Sequence, residues 1–538
     1  MKLLLQQMYT ALSRLAAPYP ANPKVGLFRS ALSSSRRPLM AATVSCPIAI
    51  QSVEDPFYFA LFGAIVAEIN RHRRALGELV VVRAMSGAIG VDWRARLRRS
   101  VPMTWILSTQ WVRAFAGLAD RVAYRSHSWS SPVHDLADWF RSVALWRRVR
   151  HQQGDLTLEI QGVAVGDLLS DTYLRFRPSP RFDATDPFVL QLIWQAHCAI
   201  RRARRYFRSR TPLLYLTSYS TYLEHGIPVR VALQEGIRVY SFGSLSHFDK
   251  ELTLSDWHHT ANGEHYRSIF ASLEGQDRRL AEAEQQLRKR LSGGIDVATS
   301  YMKVSAYANS GEATPDDLAG AVVVFLHDFY DSPHIYPDII FGDFWRWACF
   351  TIETLSEAGT NFYLKPHPNQ VELSSNVLEE LRAAYPGVRF LPQGITNAQL
   401  TSAGIACGVT VYGTIAHELA YLGVPTVASA RHPHIAFNFC RTARSQAEYA
   451  AFLRSATEPH MGAPAMRREA LAFYYMHNLH GDAGNLALRS RFVTLWKTCQ
   501  DPEASSGALL SALSDLRQSP GFRERVSKML ETNSDVER

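Results

Sequence analysis

The chain of 538 residues holds no run of the ~20 apolar residues that a bilayer-spanning helix requires, so no spanning helix is expected. Cysteine is scarce. The six residues, Cys46, Cys198, Cys349, Cys407, Cys440 and Cys499, are scattered and form no CxxC pair. That spacing excludes a zinc ribbon and a disulfide framework, and points to thiols kept reduced in a cytosol. Acid is missing from residues 1–44, and no nucleic-acid-binding motif accompanies the positive charge, so nucleic acid is not an expected partner. Met1-Lys2-Leu3-Leu4-Leu5 opens like a signal peptide, but Gln6 and Gln7 interrupt it and no small-residue cleavage site follows. The expectation is an unprocessed basic leader over 1–44.

What remains is ordinary globular material, 47% hydrophobic and 20% charged, long enough for two or three domains. The charge is uneven. Residues 1–150 carry 21 Lys and Arg against 8 Asp and Glu, a balance of +13 in a chain whose total is +9, so the remainder is −4. A basic front segment calls for an anionic partner, either an acceptor or the inner leaflet of a membrane. Within 92–150, Trp93, Trp105, Trp111, Trp129, Trp139 and Trp146 alternate with eleven arginines. This stretch reads as a helical basic insertion that lies on anionic lipid, takes an anionic acceptor, or is packed by its Trp as an ordinary insertion.

From Cys46 the pattern is regular. Pro47 to Gln51 is strand-like, Phe57 to Arg71 helical, and Leu79 to Val82 a second strand, a Rossmann-like opening. Asp167 and Asp171 share a helix face at i, i+4, either as a general base and its neighbour or as charges at a helix N-terminus, with metal binding by the pair a further alternative. Strands follow at 213–217 and 237–240, with a short helix from Pro228 between them. Residues 306–318, rich in small and polar types, read as the interdomain linker. The domains are therefore expected at 45–305 and 319–480, with a helical tail over 481–538.

The second half carries the sharpest pattern. Val409 to Val427 reads as strand, turn, helix, strand: Val409-Thr410-Val411, the turn Tyr412-Gly413-Thr414, then Ile415, Leu419 and Leu422 at helical spacing, with Gly423 and Pro425 ending the helix. Gly413 admits close backbone approach, Thr414 is placed to cap the helix, and the free N–H groups of that terminus favour an anion. Glu418, about a turn further in, is placed to accept two ribose hydroxyls. Upstream, the strand ending at Leu364 runs into Lys365-Pro366-His367-Pro368-Asn369. A Lys and a His at the carboxyl end of a parallel strand lie where open α/β sheets take ligands.

This pairing of KPHP with YGT…E…LGVP resembles the carboxyl-terminal half of GT-B-fold glycosyltransferases of bacterial surface and capsular polysaccharide assembly, the Kdo transferases among them. The stretches from Phe325 to His334 and from Ile160 to Tyr173 resemble the same family. The resemblance implies an α/β chain of two Rossmann-like domains facing a cleft, and a metal-independent transferase with no cofactor beyond its nucleotide-sugar substrate. The acceptor would be a glycan or lipid-linked glycan, and the location cytoplasmic, peripheral on the inner membrane. Lys365, His367, Pro368, Tyr412, Gly413, Thr414 and Glu418 would bind the nucleotide-sugar; Asp171, or else His327 or Asp331, would serve catalysis. Transfer of glycerophosphate from CDP-glycerol, 2-epimerisation of a nucleotide-sugar, and a non-catalytic scaffold of polysaccharide export are the alternatives.

Overall fold

The computed structural model describes residues 46–531 apart from 52–55, 72–74, 82–118, 126–131, 153–156, 178, 243–247, 300–310, 369, 371–372, 482 and 502. The leader, Trp93, Trp105, Trp111, Trp129, Asn369 and residues 306–310 of the linker fall outside the described residues.

Two six-stranded sheets dominate. The first comprises β1 (Cys46–Gln51), β2 (Ala75–Val81), β3 (Ala119–Arg125), then, after a two-stranded hairpin of β4 (Glu159–Ile160) and β5 (Val163–Ala164), β6 (Leu214–Thr217), β7 (Arg238–Ser241) and β8 (Lys250–Leu252). The strand order is 3-2-1-6-7-8, all parallel except for β8 at the edge. The second comprises β9 (Val322–Phe325), β10 (Phe362–Lys365), β11 (Arg389–Phe390), β12 (Cys407–Thr410), β13 (Thr426–Ala428) and β14 (Cys440–Thr442), in the order 11-10-9-12-13-14, all parallel. Each sheet therefore starts in its middle, grows to one side and returns to the other. That is the doubly wound Rossmann topology, with a switch point between β1 and β6 and another between β9 and β12. The chain is an α/β protein of two Rossmann-like domains.

The strands are short and apolar because helices cover both faces: all four residues of β6, β10 and β12 are buried. Caps follow local chemistry. Asp186 accepts from Phe188 N at 2.9 Å to open the helix Pro187–Arg210, and Asp343 accepts from Arg346 N at 2.7 Å to open Phe344–Glu357. Gly423, with φ +88°, closes the helix after β12 in the left-handed region.

Three boundaries differ from the sequence reading. The basic stretch 92–150 is not wholly a helical insertion: Ala119–Arg125 is a strand of the first sheet, paired in parallel with β2, and the helix is Pro132–Val149. The helix before β7 begins at Tyr222, not Pro228; Pro228 sits inside it. The domain boundary also comes earlier than the 306–318 linker. The helices Tyr266–Ser272 and Gln276–Leu291 place Phe270, Leu280, Ala283 and Leu287 in one core with Ala416, Ala420, Met466 and Phe473 of the second domain. Sequence reasoning assigned them by position along the chain, whereas their apolar stripe decides.

The chain then crosses back. The tail helices Ala483–Gln500, Ser506–Gln518 and Pro520–Leu530 bury Leu488, Phe492, Leu513 and Phe522 with Phe57, Ile65, Phe242 and Phe248 of the first domain. Phe522 is fully buried, with its ring 6.1 Å from Phe248. Phe522→Ala is expected to lower stability in urea unfolding by about 3–5 kcal/mol. A change below about 1 kcal/mol would separate the tail from that core.

Candidate active site between the two sheets

Near the carboxyl ends of their sheets the two domains touch through direct side-chain contacts, and the groups there divide by origin. In the second domain, β9, β10 and β12 lie side by side, so the loops leaving these strands converge. His327 lies two residues past β9. Its Nε2 is 3.2 Å from Thr410 Oγ1 at the end of β12, and the ring stacks on Phe344 at 4.9 Å and edge-on to Tyr412 at 4.9 Å. Burial pushes its pKa down to about 3, so it is a neutral hydrogen-bonding ring at pH 7. Thr410 Oγ1 also accepts from Gly413 N at 3.1 Å, and a Cβ on residue 413 would lie 2.8 Å from that oxygen. The Tyr412-Gly413 corner is thus folded back onto the end of its own strand.

Lys365 ends β10 and is buried; its Nζ donates to Gln393 O at 3.1 Å, and burial lowers its pKa to about 8. His367 comes next, half-buried and close enough to His327 for its charge to act on that ring; burial depresses its own pKa too, against the pull of Asp328 and Asp331. Gln393 pins the loop, with Nε2 donating to the carbonyls of His367 at 2.8 Å and Pro368 at 2.9 Å. Pro368 and Asp331 are at the surface, and Asp331 accepts from Ser332 N at 2.9 Å. Tyr412 is buried and donates to Ser332 O at 3.0 Å.

The first domain supplies the opposite wall. The helix Gly166–Phe176 packs against the second domain, and its two carboxylates part company. Burial opposes the charge of Asp167, but the Arg230 guanidinium, paired with it through both nitrogens, outweighs that and holds the carboxyl at about 2. Asp171 reaches across instead: its Oδ1 lies 2.7 Å from His334 Nδ1 of the second domain. Burial raises the Asp171 pKa, against the attraction of His334. Beside it Ser170 Oγ donates to Gly342 O at 3.5 Å and Arg175 Nη1 to Tyr330 O at 3.4 Å. At the first sheet's own switch point, Gln51 accepts from Ser218 N and Oγ, both at 2.7 Å, and contacts His225 Nδ1 at 2.8 Å. His259 lies 3.2 Å from Ser220 Oγ.

The structure brings His327, Lys365, His367, Tyr412 and Gly413 to neighbouring strand ends, with Asp171 close enough to Tyr412 for its charge to act on that hydroxyl. Thr414 stays beside Gly413 at that corner but is exposed and makes no capping bond; the helix it precedes, Ile415–Tyr421, has only seven residues. One expected member is engaged elsewhere. Glu418 lies in the interior of the second domain. It is buried, with Oε1 accepting from Arg290 Nη1 at 3.1 Å and Oε2 from Asn397 Nδ2 at 2.8 Å, while Arg290 also pairs with Asp296 at 2.9 Å. A ribose role is incompatible with that engagement: the carboxylate ties three helices together. A position one turn into a helix does not specify which face it occupies, and the partner Arg290 lies in a helix that sequence reasoning gave to the other domain. His334, Gln393 and Arg230 were not singled out as site residues. His334 stood in the 325–334 stretch, and its histidine was the only signal available. Among the described residues, Asp135, Asp138 and Cys198 have ligand-like spacing, but Arg201 and Arg202 already hold both carboxylates at 2.5–2.8 Å.

No protein-family model matches the chain, and no curated protein matches it. Solved structures similar to it include the beta Kdo 2,4 transferase KpsC of Thermosulfurimonas dismutans, at 12% identity over 49% of this chain and 79% of that one, with a TM-score of 0.29. The UDP-GlcNAc 2-epimerase of Methanocaldococcus jannaschii matches at 8% identity over 77% and 93%, with a TM-score of 0.26. The glycotransferase of kitacinnamycin matches at 11% over 91% and 100%, with a TM-score of 0.21. At these scores the likenesses carry nothing about activity. The two-domain architecture is read from the strand orders themselves.

Glu418→Ala would leave Arg290 with a diminished partner set in the interior, at a cost of about 3 kcal/mol or more in chemical unfolding. Nucleotide affinity of the folded variant is expected to stay within about twofold. A large loss of affinity at unchanged stability would restore the ribose role.

Proposed function

We propose that the protein is a glycosyltransferase that moves a sugar from a nucleotide-sugar to a growing surface polysaccharide. The observation that carries this reading is the convergence of Lys365, His367 and His327 on adjacent strand ends at the second domain's switch point, with a carboxylate of the other domain held by His334 of the same domain. Ligands of open α/β sheets bind at such points.

On this reading the nucleotide lies on the second domain, with its phosphates against Lys365, His367 and the Gly413 corner. When the bond from the anomeric carbon to the phosphate oxygen breaks, negative charge grows on the leaving phosphate. A lysine in a water-poor setting stabilises it more than it would in bulk solvent. His327, uncharged, offers a hydrogen bond rather than a charge. The acceptor hydroxyl enters from the first domain, and Asp171 takes its proton as the new glycosidic bond forms. The raised pKa of Asp171 makes it a stronger base than a solvent-exposed carboxylate. His334 orients that carboxylate through Nδ1.

Lys365 must be charged to hold phosphate, so nucleotide affinity is expected to fall as pH rises through about 8. Lys365→Arg, whose guanidinium stays charged, moves the fall to higher pH. Affinity that is flat between about pH 7 and 9 would remove Lys365 from the phosphate site. Asp171→Asn is expected to lower kcat about 10²–10⁴-fold with donor binding retained; full activity would dismiss it as the base. Thermal-shift titration with CMP-, UDP- and GDP-sugars and CDP-glycerol tests the class. Binding of CDP-glycerol alone would move the reading to glycerophosphate transfer. Epimerisation of a bound UDP-sugar without acceptor would make the protein an isomerase, and no nucleotide binding at all would refute the proposal.

A further inference from the structure

Asp171 is a base that solvent barely reaches. It is 1% exposed, its Oδ1 lies 2.7 Å from His334 Nδ1, and its Oδ2 is buried without a hydrogen-bond partner. A buried carboxylate oxygen in that state is costly, and few native groups are left so without a purpose. An acceptor hydroxyl arriving from solvent meets almost none of this carboxylate, so its proton needs a carrier. The carrier must reach Asp171, be open on its other side, and both give and take a proton, as a phenol can. Tyr222 meets these conditions. It is half-buried, and its hydroxyl sits beside the Ser332 side chain, close enough to Arg175, Asp331 and Asp171 for their charges to act on it. Burial raises its pKa, so the phenol keeps its proton at neutral pH. Its ring also lies 6.5 Å from that of His225, at the first sheet's switch point.

The backbone is bent to put it there. Tyr222 opens the helix Tyr222–Gln234, yet its φ is +60°, in the left-handed region that a bulky side chain avoids. Thr221 before it makes no capping bond. The first turn is held instead by Thr172, the neighbour of Asp171, whose Oγ1 accepts from Leu223 N at 2.9 Å and donates to Leu168 O at 2.5 Å. A Cβ on Gly226 would lie 2.4 Å from Leu168 Cδ2 and 2.7 Å from Ser220 O, so only glycine lets the two helices come this close. Strained residues fixed by their surroundings cluster at functional sites. From the other domain Tyr412 donates to Ser332 O at 3.0 Å, and both Asp171 and Tyr222 act on its hydroxyl. A phenol from each domain thus meets at Ser332, beside the proposed base.

We propose that the Tyr222 hydroxyl relays the acceptor's proton to Asp171. The inference rests on the transferase reading. As the acceptor oxygen bonds to the anomeric carbon, its proton moves to the Tyr222 oxygen while the phenolic proton moves to Asp171 Oδ2. The electron pair of the bond between the anomeric carbon and the phosphate oxygen leaves with the phosphate. Tyr222 ends protonated, as it began, and Asp171 ends as the acid.

Single-turnover sugar transfer by the full chain tests it. The donor is whichever of the CMP-, UDP- and GDP-sugars gives the largest thermal shift, and the acceptors are a panel of methyl glycosides and water. Tyr222→Phe keeps the ring and is expected to lower the transfer rate about 10²-fold, with the donor-induced thermal shift unchanged. In mixtures of light and heavy water the parent rate should fall along a curve, because two protons move in one step. The Tyr222→Phe rate should fall along a straight line, a change that a packing role would not produce. Tyr222→Asn, a residue that tolerates the left-handed region, should keep the parent's circular dichroism and lose transfer to the same extent. A parental rate in Tyr222→Phe, or a straight line for the parent, would overturn the relay and leave the transferase reading standing. No turnover by the parent with any acceptor would remove that reading, and the relay with it.

Discussion

Between β9 and β12 the chain leaves the second sheet in opposite directions, and β10 stands immediately beside them. Polar groups placed just after those three strands cannot be spread out, because the strand spacing of about 4.8 Å fixes their separation. His327, Thr410, Lys365, His367 and the Gly413 corner are held there by the sheet's hydrogen bonding, with Gln393 and Phe344 fixing loop and ring. The rest of the site depends on this constraint. Burial lowers the basicity of all three cationic candidates, and only Lys365 retains a pKa high enough, about 8, to be largely charged at neutral pH.

The opposite wall depends on how the domains are dressed. Helices Tyr266–Ser272 and Gln276–Leu291 come from the sequence of the first half but share the second domain's core, and the tail helices return the exchange. Two crossings between bodies tie the halves together. The Asp171–His334 contact joins a helix of one domain to a loop of the other. A buried carboxylate and imidazole in contact titrate as a pair rather than as two independent groups.

Much of this was legible in the sequence, for a physical reason. Parallel strands buried on both faces read as short apolar runs, and glycine, proline and the capping acids punctuate the elements between them. Val322–Phe325, Phe362–Lys365 and Thr426–Ala428 sit within a residue or two of where their patterns place them. The KPHP and YGT loops were legible because they come directly after such strands. What was hidden is what depends on partners distant in sequence. Glu418 looked like a ligand because Arg290, 128 residues away, had no visible connection to it. Trp139 and Trp146 looked interfacial because their partners Trp194 and Ala184 lie beyond the segment, and the exposed apolar face was carried by Val133, Leu136 and Phe140 instead. His334 was hidden for the same reason, its partner being 163 residues upstream.

The central claim is that a nucleotide-sugar is held at the second sheet's switch point. Amide hydrogen exchange of the full chain, with and without a saturating nucleotide-sugar, tests it most directly. The account predicts slowed exchange in 326–330, 366–368 and 411–414, with little change around Glu418. Protection confined to the first sheet, or to the neighbourhood of Glu418 with those three segments unaltered, would contradict it.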